Sequence, residues 1–131
     1  MTDSITAMSI SDIAERTGLS THTLRYYERE GLMLSPVERA SSSHRRYSEA
    51  DLTWVLFLTK LRSTAMPIAV MRRYVELARL GESTTAERLE LLLLHRGAVA
   101  RQLEEMTASL AAIDYKIGLY EDTVSARLSP R

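Results

Sequence analysis

The chain has 131 residues, 45% of them hydrophobic, and its 17 basic side chains balance its 17 acidic ones, a composition able to bury a core and unlike that of a disordered segment. It contains no cysteine, which removes disulfides, thiolate metal sites, iron–sulfur clusters and thiol switches together. No window is apolar enough to span a membrane, and the start MTDSITAMSISD lacks the basic and apolar regions of a signal peptide, so a cytoplasmic protein with no membrane partner is expected.

Zero net charge hides a local asymmetry. Between Arg39 and Arg73 seven basic residues stand against two acidic ones, whereas from Glu82 onward eight acidic residues stand against six basic. The cationic surface therefore precedes a mildly acidic C-terminal segment.

Residues 1–8 show no periodicity and are expected to fray. Ser9 and Ser11 precede Ile13, Ala14 and Thr17, which predicts a short Ser-capped helix from about Ser11 to Thr17, stopped by Gly18. Ser20 or Thr21 then caps a second helix through about Glu30, with Leu24 and Tyr27 toward the first helix and Gly31 as its end. Two short helices about a Gly-Leu-Ser turn make a helix-turn-helix candidate.

Leu32 to Arg46 contains Pro36 and the run Ser41-Ser42-Ser43 between short apolar stretches, which reads as a β-wing. Ser48 with Asp51 is an imperfect capping box opening a third helix to Arg62 along Leu52, Val55, Leu56 and Leu61. Ala65-Met66-Pro67 interrupts it. Pro67 suits the first turn of a fourth helix, whose stripe Ile68, Met71, Val75 and Ala78 runs to Gly81.

After a linker, Glu82 to Thr84, about 40 residues continue without proline. Val99, Leu103, Met106, Leu110, Ile113, Ile117, Tyr120 and Val124 alternate steps of four and three, the period of a coiled-coil seam that demands a partner helix. The expected fold is mainly α: a winged helix-turn-helix over 1–81, a dimerisation helix over 82–124 that covers its seam with a second copy, and a flexible tail over 125–131.

The second helix, THTLRYYERE, carries hydroxyls at its start and Arg25 and Arg29 one turn apart. Hydroxyls and amides at a helix start can meet phosphates, and arginine can take both acceptors of guanine at once or bond a phosphate twice. The alternative is a solvated helix whose arginines pair with Glu28, Glu30 or other carboxylates. Adjacent Tyr26 and Tyr27 cannot both face one core, so at least one presents its hydroxyl outward. The wing's Arg39, His44, Arg45, Arg46 and Tyr47 suit a grip on the backbone or a reach into the minor groove, unless they form an exposed basic loop with no partner.

The succession Ile10-x-x-Ile13-Ala14-x-x-Thr17-Gly18-Leu19, Thr23-Leu24-Arg25-Tyr26-Tyr27-Glu28-x-x-Gly31-Leu32 and Arg45-Arg46-Tyr47-Ser48-x-x-Asp51-Leu52 resembles the mercury-resistance-regulator (MerR) family over nearly the whole chain. The resemblance implies a homodimeric regulator of double-stranded promoter DNA, with an antiparallel coiled coil and two wings per protomer. Thr21, His22, Arg25 and Tyr26 would face the major groove, Tyr27, Arg39, His44, Arg46 and Tyr47 the backbone near the first wing, and Lys60 and Arg62 the backbone near the second. It further implies action with RNA polymerase by distorting a promoter whose spacer is overlong. Later stretches, such as Arg73-Tyr74-Val75-Glu76-Leu77 and Ile113-Asp114-Tyr115-Lys116-Ile117, resemble the aldehyde- and electrophile-responsive branch, without the cysteine those members use and with no large appended domain after the coiled coil. Ser43 and Ala65 stand where the family often has glycine.

A small-molecule effector would sit where the third and fourth helices meet the partner's long helix, walled by Trp54, Met66, Met71, Tyr74, His95 and Tyr120, unless these are plain dimer core. No cofactor and no metal site is expected: His22, His44 and His95 are too far apart for a local metal motif, and no nucleophile–base set or phosphate loop marks an enzyme. A ligand-independent repressor or architectural DNA-binding protein is the alternative reading.

Overall fold

A computed structural model of the chain describes residues 7–34, 38–39 and 45–128, with Glu38, Arg39 and Arg45 as backbone. Helix α1, Ile10–Thr17, starts at Ser9, whose hydroxyl accepts from the Asp12 N–H while the Asp12 carboxylate accepts from the Ser9 N–H. This complete capping box sets the start before the expected Ser11. Gly18, with φ +75°, closes α1 by donating its N–H to the Ala14 carbonyl.

Helix α2, Thr21–Arg29, is capped by Ser20, whose hydroxyl accepts from the Thr23 N–H. Two-residue strands β1 (Glu38–Arg39) and β2 (Arg45–Arg46) pair antiparallel, with Glu38 opposite Arg46 and Arg39 opposite Arg45. Helix α3, Glu49–Ser63, opens on Ser48 and Asp51 with both bonds of the capping box in place. Helix α4, Ile68–Arg79, follows Pro67. Where a linker was expected, Gly81–Thr84 forms a 3₁₀ turn, and the buried Thr84 hydroxyl donates to the Leu77 carbonyl. Helix α5 then runs Thr85–Leu128.

Met8 does not fray. It exchanges backbone hydrogen bonds with Tyr47 in both directions, at 2.7 and 2.8 Å, and its side chain is buried with Ile13, Leu24, Met33, Tyr47 and Val55. Leu58, Met66, Met71 and Val75 are fully buried as well; each large apolar side chain removed from water in this way contributes about 1.5–3 kcal/mol.

The chain divides into two compact units, one ending at Leu91 and the other beginning at Leu92. The first unit thus exceeds the expected boundary at 81, because the opening turns of α5 are tied into it: Arg73 pairs with Glu87 at 3.5 Å, and Arg88 donates to the Gly81 carbonyl at 2.9 Å and the Thr84 hydroxyl at 3.1 Å. Within the second unit, α5 continues through residues 125–128, which were expected in the tail. No residue of α5 is buried, and the seam positions from Leu103 to Val124 are 47–70% exposed.

Candidate nucleic-acid interface

Helix α2 has two faces. Leu24 and Tyr27 point into the core, whereas His22, Arg25, Tyr26 and Arg29 are exposed. Those four stand at i, i+3, i+4 and i+7, a single outward stripe one helix face wide. Arg29 completes the stripe although the resemblance assigned it no contact; its spacing from Arg25 was the signal. Thr21, at the first turn, is half-buried.

The basic side chains of the first unit divide into those that hold the fold together and those that do not. Arg16 pairs with Glu49 at 3.8 Å, Arg72 with Glu30, Arg73 with Glu87, and Arg79 donates to three backbone carbonyls. Among the described residues His22, Arg25, Arg29, Arg46 and Lys60 make no side-chain ion pair or hydrogen bond. Glu30 and Glu28 do not pair with Arg25 or Arg29: Glu30 takes Arg72, and Glu28 accepts from the Tyr47 hydroxyl. The exposed cations of α2 are therefore not neutralised by their neighbours, against the solvated-helix alternative, and repulsion among them favours a polyanionic partner.

Two expected backbone contacts need correction. The rings of Tyr27 and Tyr47 are core, 4% and 1% exposed, because Tyr27 shares a helix face with the buried Leu24 three residues earlier and Tyr47 is bridged to the buried Met8. Burial pushes the Tyr27 pKa above its usual value, opposed by the Arg62 charge and aided by Tyr26. Arg46, Lys60 and Arg62 are exposed, Lys60 and Arg62 in the last turn of α3. Arg39 sits in β1, its side chain undescribed, and His44 lies outside the described residues. Ala65 adopts φ +72° between α3 and α4, a left-handed conformation that explains why glycine suits that turn.

The proposed effector walls are only partly open. Met66 and Met71 are fully buried within one chain, and Tyr74 nearly so. Trp54 is half-buried, stacks on Tyr74 at 5.9 Å, and donates its indole N–H to the Leu32 carbonyl at 2.8 Å. The methionines are core, so a ligand would have to meet Trp54 and Tyr74 at their edges. His95 and Tyr120 belong to the second unit, half-buried and exposed.

A helix-turn-helix with an unpaired cationic stripe on its second helix, a short hairpin after it and a further helix pair define a winged helix-turn-helix DNA-binding protein. The sequence matches the MerR HTH family regulatory protein over residues 8–77, more than half of the chain, and the chain belongs to this family. It is a MerR-type DNA-binding transcriptional regulator.

Relatives span most of its length. An HTH-type transcriptional regulator of Haemophilus influenzae is 35% identical over 108 residues, 82% of this chain and 79% of that protein. AdhR of Bacillus subtilis is 38% identical over 85 residues, 65% of this chain and 60% of that one. Among solved structures, a MerR-family regulator from Listeria monocytogenes superposes with a TM-score of 0.83 at 34% identity, covering 92% and 91% of the two chains. HiNmlR, a MerR-family regulator lacking the sensor domain and bound to promoter DNA, gives 0.80 at 32%, covering 91% and 94%. Among the described residues no helix is long and apolar enough to cross a membrane.

Proposed function

We propose that the protein acts in the cytoplasm as a homodimer, placing two α2 helices in successive major grooves of a promoter and activating by distorting the DNA between them. The observation that carries this reading is the uncovered seam of α5, Val99 to Val124, at coiled-coil spacing and without a buried residue. A second copy supplies the missing face, and an antiparallel pairing fixes the separation of the two reading heads. Thr21, His22, Arg25, Tyr26 and Arg29 read or grip the major groove, while Arg46, Lys60 and Arg62, with Arg39 and His44, hold backbone. The solved HiNmlR complex with promoter DNA, at 32% identity, supports this use of the fold.

Bending or untwisting a site through roughly 40–90° costs on the order of 1–6 kcal/mol, and RNA polymerase gains promoter elements it can align. An effector acts only through its differential affinity for the two DNA-bound states. Likeness to AdhR supports the electrophile-responsive branch, but with no cysteine in the chain any such signal acts by non-covalent binding or through another nucleophile. The protein is not an enzyme on this reading.

In vitro transcription from its own promoter, with the spacer shortened by one or two base pairs, tests the mechanism. Activation by distortion makes the shortened promoter active without the protein. A shortened promoter that stays silent favours the ligand-independent repressor or architectural reading.

A further inference from the structure

Four consecutive backbone carbonyls between α2 and the wing, Gly31 to Leu34, are all held by two side chains from elsewhere in the chain. Trp54 of α3 donates its indole N–H to Leu32 at 2.8 Å. Arg79, at the end of α4, takes the other three: its Nε donates to Leu34 at 3.2 Å, and its Nη2 to Gly31 at 3.1 Å and to Met33.

The N–H groups of the same region turn the opposite way. Glu30 donates to Tyr26 at 2.9 Å, Gly31 to Glu28 at 3.1 Å and Leu32 to Tyr27 at 2.9 Å, closing α2 through the left-handed Gly31. The segment is thus a strap with its first donors bonded into α2 and its acceptors bonded into α3 and α4. Leu32 and Met33 pin it to the core by their side chains, and the Glu30–Arg72 pair adds a second tie to α4. The strap follows α2 directly in the chain and precedes β1 in sequence, so holding its register holds the end of the recognition helix against α3 and α4.

We propose that Arg79 and Trp54 are positioning residues for DNA recognition, locking this strap so that the α2 stripe and the wing meet one duplex in register. Arg79 spends its charge on carbonyls, and its planar fork reaches three of them from two separate nitrogens, Nε and Nη2, a fixed spacing that the single nitrogen of a lysine ammonium does not reproduce. The role therefore differs from that of Arg25 or Lys60, whose charge is left for a partner. Trp54 couples the same strap to the Tyr74 ring on α4, so a shift of α4 against α3 reaches Gly31–Leu34 through two routes at once.

The inference rests on DNA binding by the full-length protein, which selection of a duplex by wild type from a randomised pool checks separately. With that selected duplex and a mixed-sequence duplex of equal length as probes, Arg79→Met, Arg79→Lys and Trp54→Phe are compared with wild type, with thermal melts alongside. Arg79→Met and Arg79→Lys are expected to reduce the ratio of specific to nonspecific affinity by at least about tenfold, out of the ~10³–10⁷ of specific regulators, with the slope of log K against log salt unchanged. A preserved ratio overturns the proposal. So does the pattern of a phosphate contact, in which methionine lowers the slope by about one and lysine restores both. Should the variants at 79 fail to fold, Trp54→Phe, which keeps the stacking ring and removes only the donor, decides: a lowered ratio supports the clamp and a wild-type ratio overturns it.

Discussion

The Tyr47 hydroxyl donates to the Glu28 carboxylate across 19 residues of sequence, joining the residue after β2 to the last turn of α2. The bond registers the wing on the recognition helix from one side as the Arg79 clamp does from the other. Hydrogen bonds to charged acceptors contribute about 1.5–3 kcal/mol when partly buried. Tyr47→Phe, which keeps the ring in the core, is expected to lose about 1–2 kcal/mol in urea denaturation and to weaken binding to specific DNA. Glu28→Gln keeps an acceptor and loses less. Equal stability of Tyr47→Phe and wild type would show that the bond is offset by solvent.

Ala65 holds φ +72°, where a Cβ costs about 1–2 kcal/mol relative to glycine. Glycine also frees the unfolded chain, which offsets part of the gain. Ala65→Gly should stabilise the protein by a net of about 0.5–1 kcal/mol, read as a higher urea midpoint at constant m-value. A lower midpoint would mean that the alanine methyl makes a contact worth more than the strain.

Arg25 and Arg46 differ in position and should differ in effect. Arg25→Ala, in the outward stripe of α2, is expected to cost about 1–3 kcal/mol and relax sequence preference. Arg46→Ala, in the second wing strand, should weaken all DNA alike and reduce the salt slope by about one. Competition titrations at several salt concentrations separate the two, and identical behaviour of both variants on specific and mixed DNA contradicts the division.

Leu110→Asp sets a carboxylate in the centre of the exposed seam. In a coiled-coil dimer that charge is buried without a partner, so the variant should sediment as a monomer of 14.8 kDa and lose cooperative binding to paired half-sites. Wild type should run near twice that mass. A monomeric wild type at micromolar concentration removes the basis for the dimer.

Burial raises the Tyr27 pKa above its ordinary 10.0. Below pH 10 both folded and unfolded chains keep the proton, and the contribution of the buried phenol is complete. Above it the unfolded chain releases the proton first, so stability falls as pH climbs through the higher folded-state value. Wild type should lose stability faster than Tyr27→Phe as the pH rises above 10.0. Arg62→Gln, which removes the opposing charge, should steepen the wild-type loss. Parallel curves for wild type and Tyr27→Phe would place the phenol in contact with water.

Most helix caps were legible in the sequence because they act locally. Ser48 with Asp51, Ser20, Gly18 and Gly31 each act on groups within four residues. The three-four spacing of the α5 seam is local in the same sense, since a helix converts spacing into a face without outside help. Tertiary structure decided which side chains are spent. Whether Tyr26 or Tyr27 turned inward, whether Arg25 found a carboxylate, and whether Met8 frayed or closed on Tyr47 all depended on groups far along the chain. Glu28 is taken by Tyr47 at a separation of 19 residues, Glu30 by Arg72 at 42, and the Gly31 carbonyl by Arg79 at 48. Patterns of three and four residues carry no record of such partners, because they arise only when packing brings distant helices within hydrogen-bond reach. The recognition stripe is therefore written in the local order of α2, while the charge left on it is set by where its neighbours found their pairs.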